Sequence, residues 1–237
     1  MSNQSPVILA LETAGAICSV SLLVAGQTYT QRSNAERRHA REVLPMISSL
    51  MTAQGVGFAD IDALAVVSGP GSFTGLRIGS AVAQGLAFGN ELPVISVSYL
   101  QLIAETAQCE AEEGRLLVVM LAREGEYYYS LFHRNTNTLS RLTEDMVGDC
   151  VAIRTALASH SVTGLPVTGV GDGFVVEEIR AMATQGDFIN VQDTVVVDSE
   201  TLALAAVKAW CKSDYGDAEA VMPVYLKEDM AYRRSGE

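Results

Sequence analysis

The sequence is poor in the residue types that disulfide frameworks and zinc sites require. Its 237 residues include one tryptophan, three histidines and four cysteines, and the cysteines form no C-x-x-C pair. The wide spacing of Cys18, Cys109, Cys150 and Cys211 argues against both kinds of site. We therefore expect free, buried thiols in a reducing compartment.

Long apolar runs are also missing. No stretch approaches the ~18 apolar residues that a membrane-spanning helix needs. The first residues show neither a positive region nor a signal-type apolar core, and the run at residues 7–11 has only the length of a strand. These features predict a cytoplasmic protein that has no membrane partner.

Basic charge is scarce as well. The chain has 16 lysines and arginines against 28 aspartates and glutamates, and its formal net charge of −12 repels nucleic acid phosphates. Direct RNA binding would need a local basic patch. The one candidate patch equally fits the solvated start of a helix, and it consists of Arg32, Arg37, Arg38 and Arg41.

The chain does contain enough apolar residues for a large core. Hydrophobic residues make up 49% and charged residues 19%, a composition typical of globular proteins. The length suits one large domain or two of about 100 residues. Because the predicted order β-β-β-α-β-α-β-α occurs twice, we expect two lobes, residues 1–112 and residues 113–237.

The predicted elements follow from apolar periodicity and turn residues. In the first half we predict strands at 7–11, 18–24, 28–31, 63–67 and 94–97, and helices at 33–54, from 75 onward and at 99–112. In the second half we predict strands at 115–121, 127–132, 138–142, 166–170 and 188–191, and helices at 148–159, up to 184 and at 199–211.

This order of elements indicates an α/β fold with two lobes, each a mixed five-stranded sheet with flanking helices. Three antiparallel strands followed by α/β crossovers are the plan of the actin-like, RNase H-like folds of actin, hexokinase and hsp70. In that plan a nucleotide lies between the lobes, held by hairpins that fall here at residues 12–16 and 123–126. Glu12 supplies an acid in the first hairpin, whereas Leu121 stands at the equivalent place in the second. We therefore expect a degenerate nucleotide cleft.

A glycine-rich loop joins the strand at residues 63–67 to the next helix. We expect it to form a rigid turn, with Thr74 capping the helix, and its residues are Gly69, Pro70, Gly71, Ser72 and Thr74. Phosphate binding is the alternative, because a helix N-terminus suits anions. The loop lacks the P-loop lysine and the third glycine of a dinucleotide fingerprint. It also lacks the flanking glycines of a serine nucleophile elbow.

Small residues recur every four positions along the helix that follows this loop. Gly75, Gly79, Ala83 and Ala87 form one ridge. Glycine inside a helix costs roughly 1 kcal/mol relative to alanine, so a close contact is expected to offset that cost. The ridge packs either on the chain's own sheet or against a helix of another chain.

Several motifs make the chain resemble the TsaB (YeaZ) family along nearly its whole length. The most specific is GPGSFTGLRIG at residues 69–79. Supporting motifs are LALETA at 9–14, RHAR at 38–41, REGEYY at 123–128 and PVYLK at 223–227. The resemblance implies a two-lobed actin-like fold and a role in making N6-threonylcarbamoyladenosine at position 37 of tRNAs that read codons starting with adenine.

The resemblance also implies partners. A TsaB-like chain is expected to pair with the catalytic subunit TsaD as a heterodimer and to activate it, to join the ATPase TsaE in a larger complex, and to have a functional link to TsaC. Alone it would form a homodimer through its first two long helices. It would meet tRNA only indirectly, through the complex.

The same resemblance implies that this chain is a non-catalytic paralogue of TsaD. The His-x-x-x-His metal motif of TsaD would fall at residues 97–102, which contain no histidine. We therefore expect no catalytic, cofactor or metal site in the chain alone, with ATP and metal bound in the partner subunits, and no peptidase activity. The alternative hypothesis is an actin-like ATPase or phosphotransferase.

Together these patterns predict a partner interface on the first two long helices, where an apolar row meets the small-residue ridge. Its predicted residues are Leu44, Ile47, Met51, Gly75, Leu76, Gly79, Val82, Ala83 and Leu86. On this hypothesis, Gly79→Leu or Ala83→Arg blocks pairing and leaves the monomer folded.

Overall fold

Each half of the chain builds one β-sheet in the computed structural model, which describes residues 5–33, 39–108, 111–123, 125–136, 138–162, 164–184, 188–224 and 226. The first half contains β1 Ile8–Glu12, β2 Cys18–Val24, β3 Gln27–Ser33, α1 His39–Gln54, β4 Ala63–Gly69, α2 Phe73–Asn90, β5 Val94–Ser98 and α3 Tyr99–Thr106. The second contains β6 Gly114–Arg123, β7 Glu126–Arg134, β8 Leu139–Arg141, β9 Met146–Gly148, α4 Cys150–Ser159, β10 Val167–Val170, α5 Glu177–Thr184, β11 Phe188–Gln192 and α6 Ser199–Cys211.

Both sheets have the predicted mixed topology. The first has the order β3-β2-β1-β4-β5, in which β1, β2 and β3 are antiparallel and β1, β4 and β5 are parallel. The second has the order β11-β10-β6-β7-β8, and β9 also pairs with β7. The predicted two-lobed fold is confirmed, but the second sheet has six strands rather than five. The three residues of β9 are too few to produce an alternating pattern that sequence analysis could detect.

Several helix ends differ from the predictions; Ser33, predicted to open a helix, ends β3, and Gly148 ends β9. Ser72, not Thr74, caps α2, because the helix already begins at Phe73 and the Ser72 hydroxyl accepts a hydrogen bond from the Gly75 N–H (3.2 Å). α3 ends at Thr106 rather than at residue 112. The Arg134 guanidinium donates to the carbonyls of Ala104 (2.5 Å) and Ala107 (2.6 Å) and so satisfies groups that a longer helix would have used.

The largest core cluster lies between the two lobes and includes Ala10 and Ala65 from the first sheet and Leu116 and Phe132 from the second. Helix α6 comes from the second half but packs on β1 and β2. The first residue of α6 forms hydrogen bonds with β2: Ser199 N donates to Ser19 Oγ (2.8 Å), and Ser199 Oγ pairs with Ser21 Oγ (2.7 Å). The boundary between residues 112 and 113 stays a prediction.

Some residues named in the predictions lie outside the described ranges, and for one cysteine the structure differs from the prediction. Arg37, Arg38 and Cys109 are among the residues that the structure does not describe. Cys18 and Cys150 are free and buried, as expected, whereas Cys211 at the end of α6 is exposed. Within the described ranges, no helix combines the length and apolar character needed to cross a membrane.

Candidate functional site

The small-residue ridge of α2 faces the chain's own core. A Cβ atom added at Gly75 would lie 1.9 Å from the Thr13 carbonyl oxygen, and one added at Gly79 would lie 2.5 Å from Thr13 Oγ1. Thr13 Oγ1 also donates to the Gly75 carbonyl (2.7 Å), and Ala83 and Ala87 are fully buried. The glycines therefore allow α2 to approach the turn that follows β1.

The partner role of Gly75, Leu76, Gly79 and Ala83 stays a prediction, and in the monomer all four residues are buried. Larger side chains at Gly79 or Ala83 would disturb this packing, so they cannot block pairing and leave the monomer intact.

The remaining predicted interface residues divide by exposure. Ile47 and Met51 are buried beneath α1, whereas Leu44 on the same helix is 50% exposed. Val82 and Leu86 are half-buried and pack on the core cluster that lies below α1 and α2. Leu44 and Leu86 both line a groove of about 540 Å³ at the junction of the two helices.

The exposed side of α2 is a different row from the one the sequence analysis selected. Phe73, Arg77, Ala81, Gly85 and Phe88 repeat every three or four residues and are all exposed. We call these five residues and Leu44 the α1–α2 face. Phe88 is 79% exposed and Phe73 40%, and the Arg77 guanidinium carbon lies 3.8 Å from the Phe73 ring centroid. No atom lies within 4 Å of a Cβ added at Gly85, so the surface there is open.

The glycine-rich loop is bound to neighbouring segments of the chain. Ser72 N donates to the Ala14 carbonyl (2.9 Å), and Val224 N donates to the Ser68 carbonyl (2.8 Å). Gly69 has φ +124°, a conformation open to glycine, and a Cβ there would lie 3.0 Å from the Val224 carbonyl oxygen. These contacts support a structural turn that joins the β1–β2 turn to the start of α2.

A cleft of about 750 Å³ lies between the lobes. Its walls include Gly15 and Tyr99 from the first lobe and Leu121, Tyr128 and Asp172 from the second. Asp172 Oδ1 accepts a hydrogen bond from Leu121 N (2.8 Å). An acid therefore stands beside the second hairpin although residue 121 itself is leucine, and sequence analysis had no signal for this long-range contact.

Glu12 lies fully buried at the end of β1. Its Oε1 accepts hydrogen bonds from the N–H groups of Ala14 (2.7 Å) and Gly15 (2.8 Å). Its Oε2 is buried with no hydrogen-bond partner among the described residues. Burial raises the pKa of Glu12 to about 7; the two backbone hydrogen bonds lower the pKa in part, and the charge of Asp198 raises it further.

The segment after β5, where TsaD would carry its histidines, serves the fold in this chain. Ser98 caps α3 by accepting from Gln101 N (3.3 Å), and its hydroxyl donates to Asp145 (2.5 Å). Leu100 and Leu102 are fully buried. Across the described ranges, no three His, Cys, Asp or Glu side chains come together in a metal-binding group.

The candidate basic patch is only partly described, and one of its described members, Arg32, is ion-paired. The Arg32 guanidinium donates to Asp198 (2.8 Å from Nε) and to Glu200 (3.1 Å). These ion pairs tie β3 to the start of α6. Arg32 therefore acts within the fold, which weakens the hypothesis of direct RNA binding.

Comparisons with known proteins agree with these features. A family model described as "TsaD: tRNA N6-adenosine threonylcarbamoyltransferase" matches residues 23–213. The tRNA threonylcarbamoyladenosine biosynthesis protein TsaB of Escherichia coli K12 is 43% identical over 96% of this chain and 97% of its own length. The solved structure "YeaZ from Pseudomonas aeruginosa" superposes with a TM-score of 0.76 at 28% identity, covering 93% of this chain and 100% of that chain. The tRNA N6-adenosine threonylcarbamoyltransferase of Halalkalibacterium halodurans is 27% identical over 62% of this chain and 48% of that enzyme.

Proposed function

The chain belongs to the TsaB family of tRNA threonylcarbamoyladenosine biosynthesis proteins, within the wider family whose model bears the name TsaD, and we propose that it is the non-catalytic partner of TsaD. In this proposal TsaD carries out the transfer chemistry, and this chain pairs with it and activates it. TsaE joins the pair in a larger complex, and TsaC supplies the activated threonylcarbamoyl group. ATP and metal bind in the partner subunits, tRNA reaches this chain only through the complex, and the complex works in the cytoplasm.

The observation that carries the proposal is the α1–α2 face. Phe73, Phe88 and Leu44 expose apolar surface on one side of the first lobe. Small residues at Ala81 and Gly85 let another helix approach within the ~8–10 Å that packed helices require.

The non-catalytic role rests on the segment after β5. Its side chains cap α3 or fill the core, so this chain offers no histidine there for a metal. The same observation supports a function other than proteolysis. Loss of this metal site in one of two related subunits fits a division into a catalytic subunit and a supporting one.

The first prediction tests pairing. Ala81→Arg places a long charged side chain in the centre of the α1–α2 face, and we expect at least about a tenfold weaker affinity for TsaD, equal to about 1.4 kcal/mol. The added side chain starts from an exposed position, so the free energy of unfolding of the monomer should change by less than about 0.5 kcal/mol. Isothermal titration calorimetry with TsaD and urea unfolding measure the two quantities.

Val151→Arg provides the matched control. Val151 is also an exposed apolar residue on a helix, but it lies on α4 in the second lobe. We expect its affinity for TsaD to remain that of the unmodified chain. Wild-type affinity in the Ala81→Arg variant would place the TsaD-binding surface elsewhere.

A further inference from the structure

Helix α3 lies between the two lobes and belongs to the core of both. It contacts β4 and β5 of the first sheet, β6 and β7 of the second sheet, and α6. Leu100, Leu102 and Ala104 are fully buried in the core cluster that also includes Leu116 and Phe132 of the second sheet. A large apolar interface of this kind opposes the relative motion that is otherwise expected of two lobes in one chain.

The N-terminal end of α3 is hydrogen-bonded to the second lobe. Ser98 Oγ caps the helix by accepting from Gln101 N (3.3 Å), and the same hydroxyl donates to Asp145 Oδ2 (2.5 Å) in the connection between β8 and β9. Arg141 on β8 forms an ion pair with the other carboxylate oxygen of Asp145. The second lobe therefore holds the carboxylate in place while it binds the capping residue of a first-lobe helix.

The C-terminal end of α3 is hydrogen-bonded to the second lobe as well. The guanidinium of Arg134, the last residue of β7, donates to the carbonyls of Ala104 (2.5 Å), Glu105 (3.3 Å) and Ala107 (2.6 Å). Carbonyls in the last turn of a helix have no partner within that helix, and a cation beside them is favoured by the helix dipole. A side chain of the second lobe thus supplies the donors that end this first-lobe helix.

The segment that follows α3 adds a third connection. Gln108 N donates to Gln192 Oε1 (3.0 Å), and Gln192 Nε2 donates to the Gln108 carbonyl. Gln192 is the last residue of β11, so this reciprocal pair joins the chain after α3 to the edge of the second sheet. Both ends of α3 and the residues after it are therefore bound to the second lobe.

We propose that α3 holds the two lobes at one fixed angle, so that the cleft between them neither opens nor closes. Two-lobed proteins such as kinases close around their ligands by hinge or shear motion. In this chain, such a motion would have to break the hydrogen bonds at both ends of α3 and separate residues of the largest core cluster. The second lobe therefore moves as one body with the α1–α2 face.

A fixed angle matters for the assembly of a complex. A partner that binds the α1–α2 face meets the second lobe at a position that the fold of this chain already determines, and no binding free energy is spent on ordering the lobes. The inference concerns the chain alone, so it stands independently of the proposed pairing with TsaD.

Pulsed electron paramagnetic resonance between two spin labels tests the fixed angle. Gln27→Cys on β3 and Ser140→Cys on β8 place the labels at exposed positions on different lobes, and Cys109→Ser and Cys211→Ser prevent labelling elsewhere. We expect a single narrow distance distribution in the chain alone. The same distribution should remain when TsaD or magnesium–ATP is added.

Hydrogen exchange in an Arg134→Met variant tests the role of α3. We expect the amides of α3 to exchange at least tenfold faster than in the unmodified chain, beyond any change at β1, and the label distances to spread. Arg134→Lys keeps the positive charge but offers one nitrogen, so its effect should be smaller, and it serves if the first variant does not fold. Arg180→Met is the matched control, because Arg180 bonds the Phe174 carbonyl (3.2 Å) and Asp193 (2.6 Å) within the second lobe, and it should leave α3 exchange unchanged.

Three results would overturn the inference. The first is a broad or two-peaked distance distribution in the unmodified chain. The second is a shift of that distribution on addition of magnesium–ATP or TsaD, which would show lobes that move about a hinge. The third is an Arg134→Met variant with the α3 exchange and the label distances of the unmodified chain, which would show that α3 does not hold the lobes. The first and third results need no TsaD, so this inference and the proposed pairing fail separately.

Discussion

Gly75→Ala is expected to lower the free energy of unfolding by about 3 kcal/mol, the upper part of the range for overpacked core positions. The new methyl group would lie 1.9 Å from the Thr13 carbonyl oxygen. That oxygen belongs to the backbone directly after β1. The strands β2 and β4, which pair with β1 on its two sides, restrict the movement of this backbone. Either α2 or the turn after β1 has to shift, and the hydrogen bond from Thr13 Oγ1 to the Gly75 carbonyl is strained as a result.

Gly85→Ala on the same helix is the matched control. Its methyl group meets no atom within 4 Å, so only the helix propensity changes. We expect the free energy of unfolding to rise by about 1 kcal/mol. Urea unfolding of both variants measures the two changes in the free energy of unfolding, which should have opposite signs. A Gly75→Ala variant as stable as the unmodified chain would mean that α2 does not approach Thr13 as closely as described.

This pair of glycines also shows where sequence analysis reaches its limit on the candidate site. The four-residue spacing of Gly75, Gly79, Ala83 and Ala87 correctly indicated a close contact along one side of the helix. The identity of the contact depends on Thr13, which lies 62 residues before Gly75 in the chain. A local pattern contains no information on such a separation, so the contact of the ridge with Thr13 could not be predicted.

The elements themselves were more predictable, because local signals determine them. The last helix was predicted at residues 199–211, and α6 is Ser199–Cys211. The helix predicted to begin at residue 99 does begin at Tyr99, and Ser98 caps it. The location of α6 on the first sheet was not predictable, since its anchoring hydrogen bond joins residues 180 positions apart.

The cleft shows the same difference between local signals and contacts of residues far apart in the sequence, here for its acidic side chains. The sequence placed an acid at Glu12 and none at Leu121, and we inferred a degenerate nucleotide site. The fold brings Asp172 to the Leu121 backbone and turns one Glu12 oxygen onto its own loop. Counting the acids at the two hairpin positions in the sequence therefore does not give the number of acids that lie near the cleft in the fold.

The second large effect is expected from Glu12→Gln, measured as stability against pH. The pKa of Glu12 is about 7 in the folded chain, against the ordinary value of 4.5 for a glutamate in the unfolded chain. Between these two values the unfolded chain has released a proton that the folded chain still holds. The contribution of Glu12 to the stability of the unmodified protein therefore falls as pH rises from 4.5 to 7. The total loss is about 3 kcal/mol, at 1.36 kcal/mol for each pKa unit.

Glutamine removes this ionisation and keeps the Oε1 acceptor for the N–H groups of Ala14 and Gly15. We therefore expect Glu12→Gln to match the unmodified chain near pH 4 and to exceed its free energy of unfolding by about 3 kcal/mol at pH 8. Denaturant unfolding at half-unit pH steps between pH 4 and pH 8 measures this difference in the free energy of unfolding. Glu219→Gln, a substitution at an exposed glutamate, controls for the loss of one negative charge and should give a difference that does not vary with pH. A pH-independent difference for Glu12→Gln as well would mean that Glu12 is ionised in the fold, with a donor reaching the oxygen that is unpartnered here.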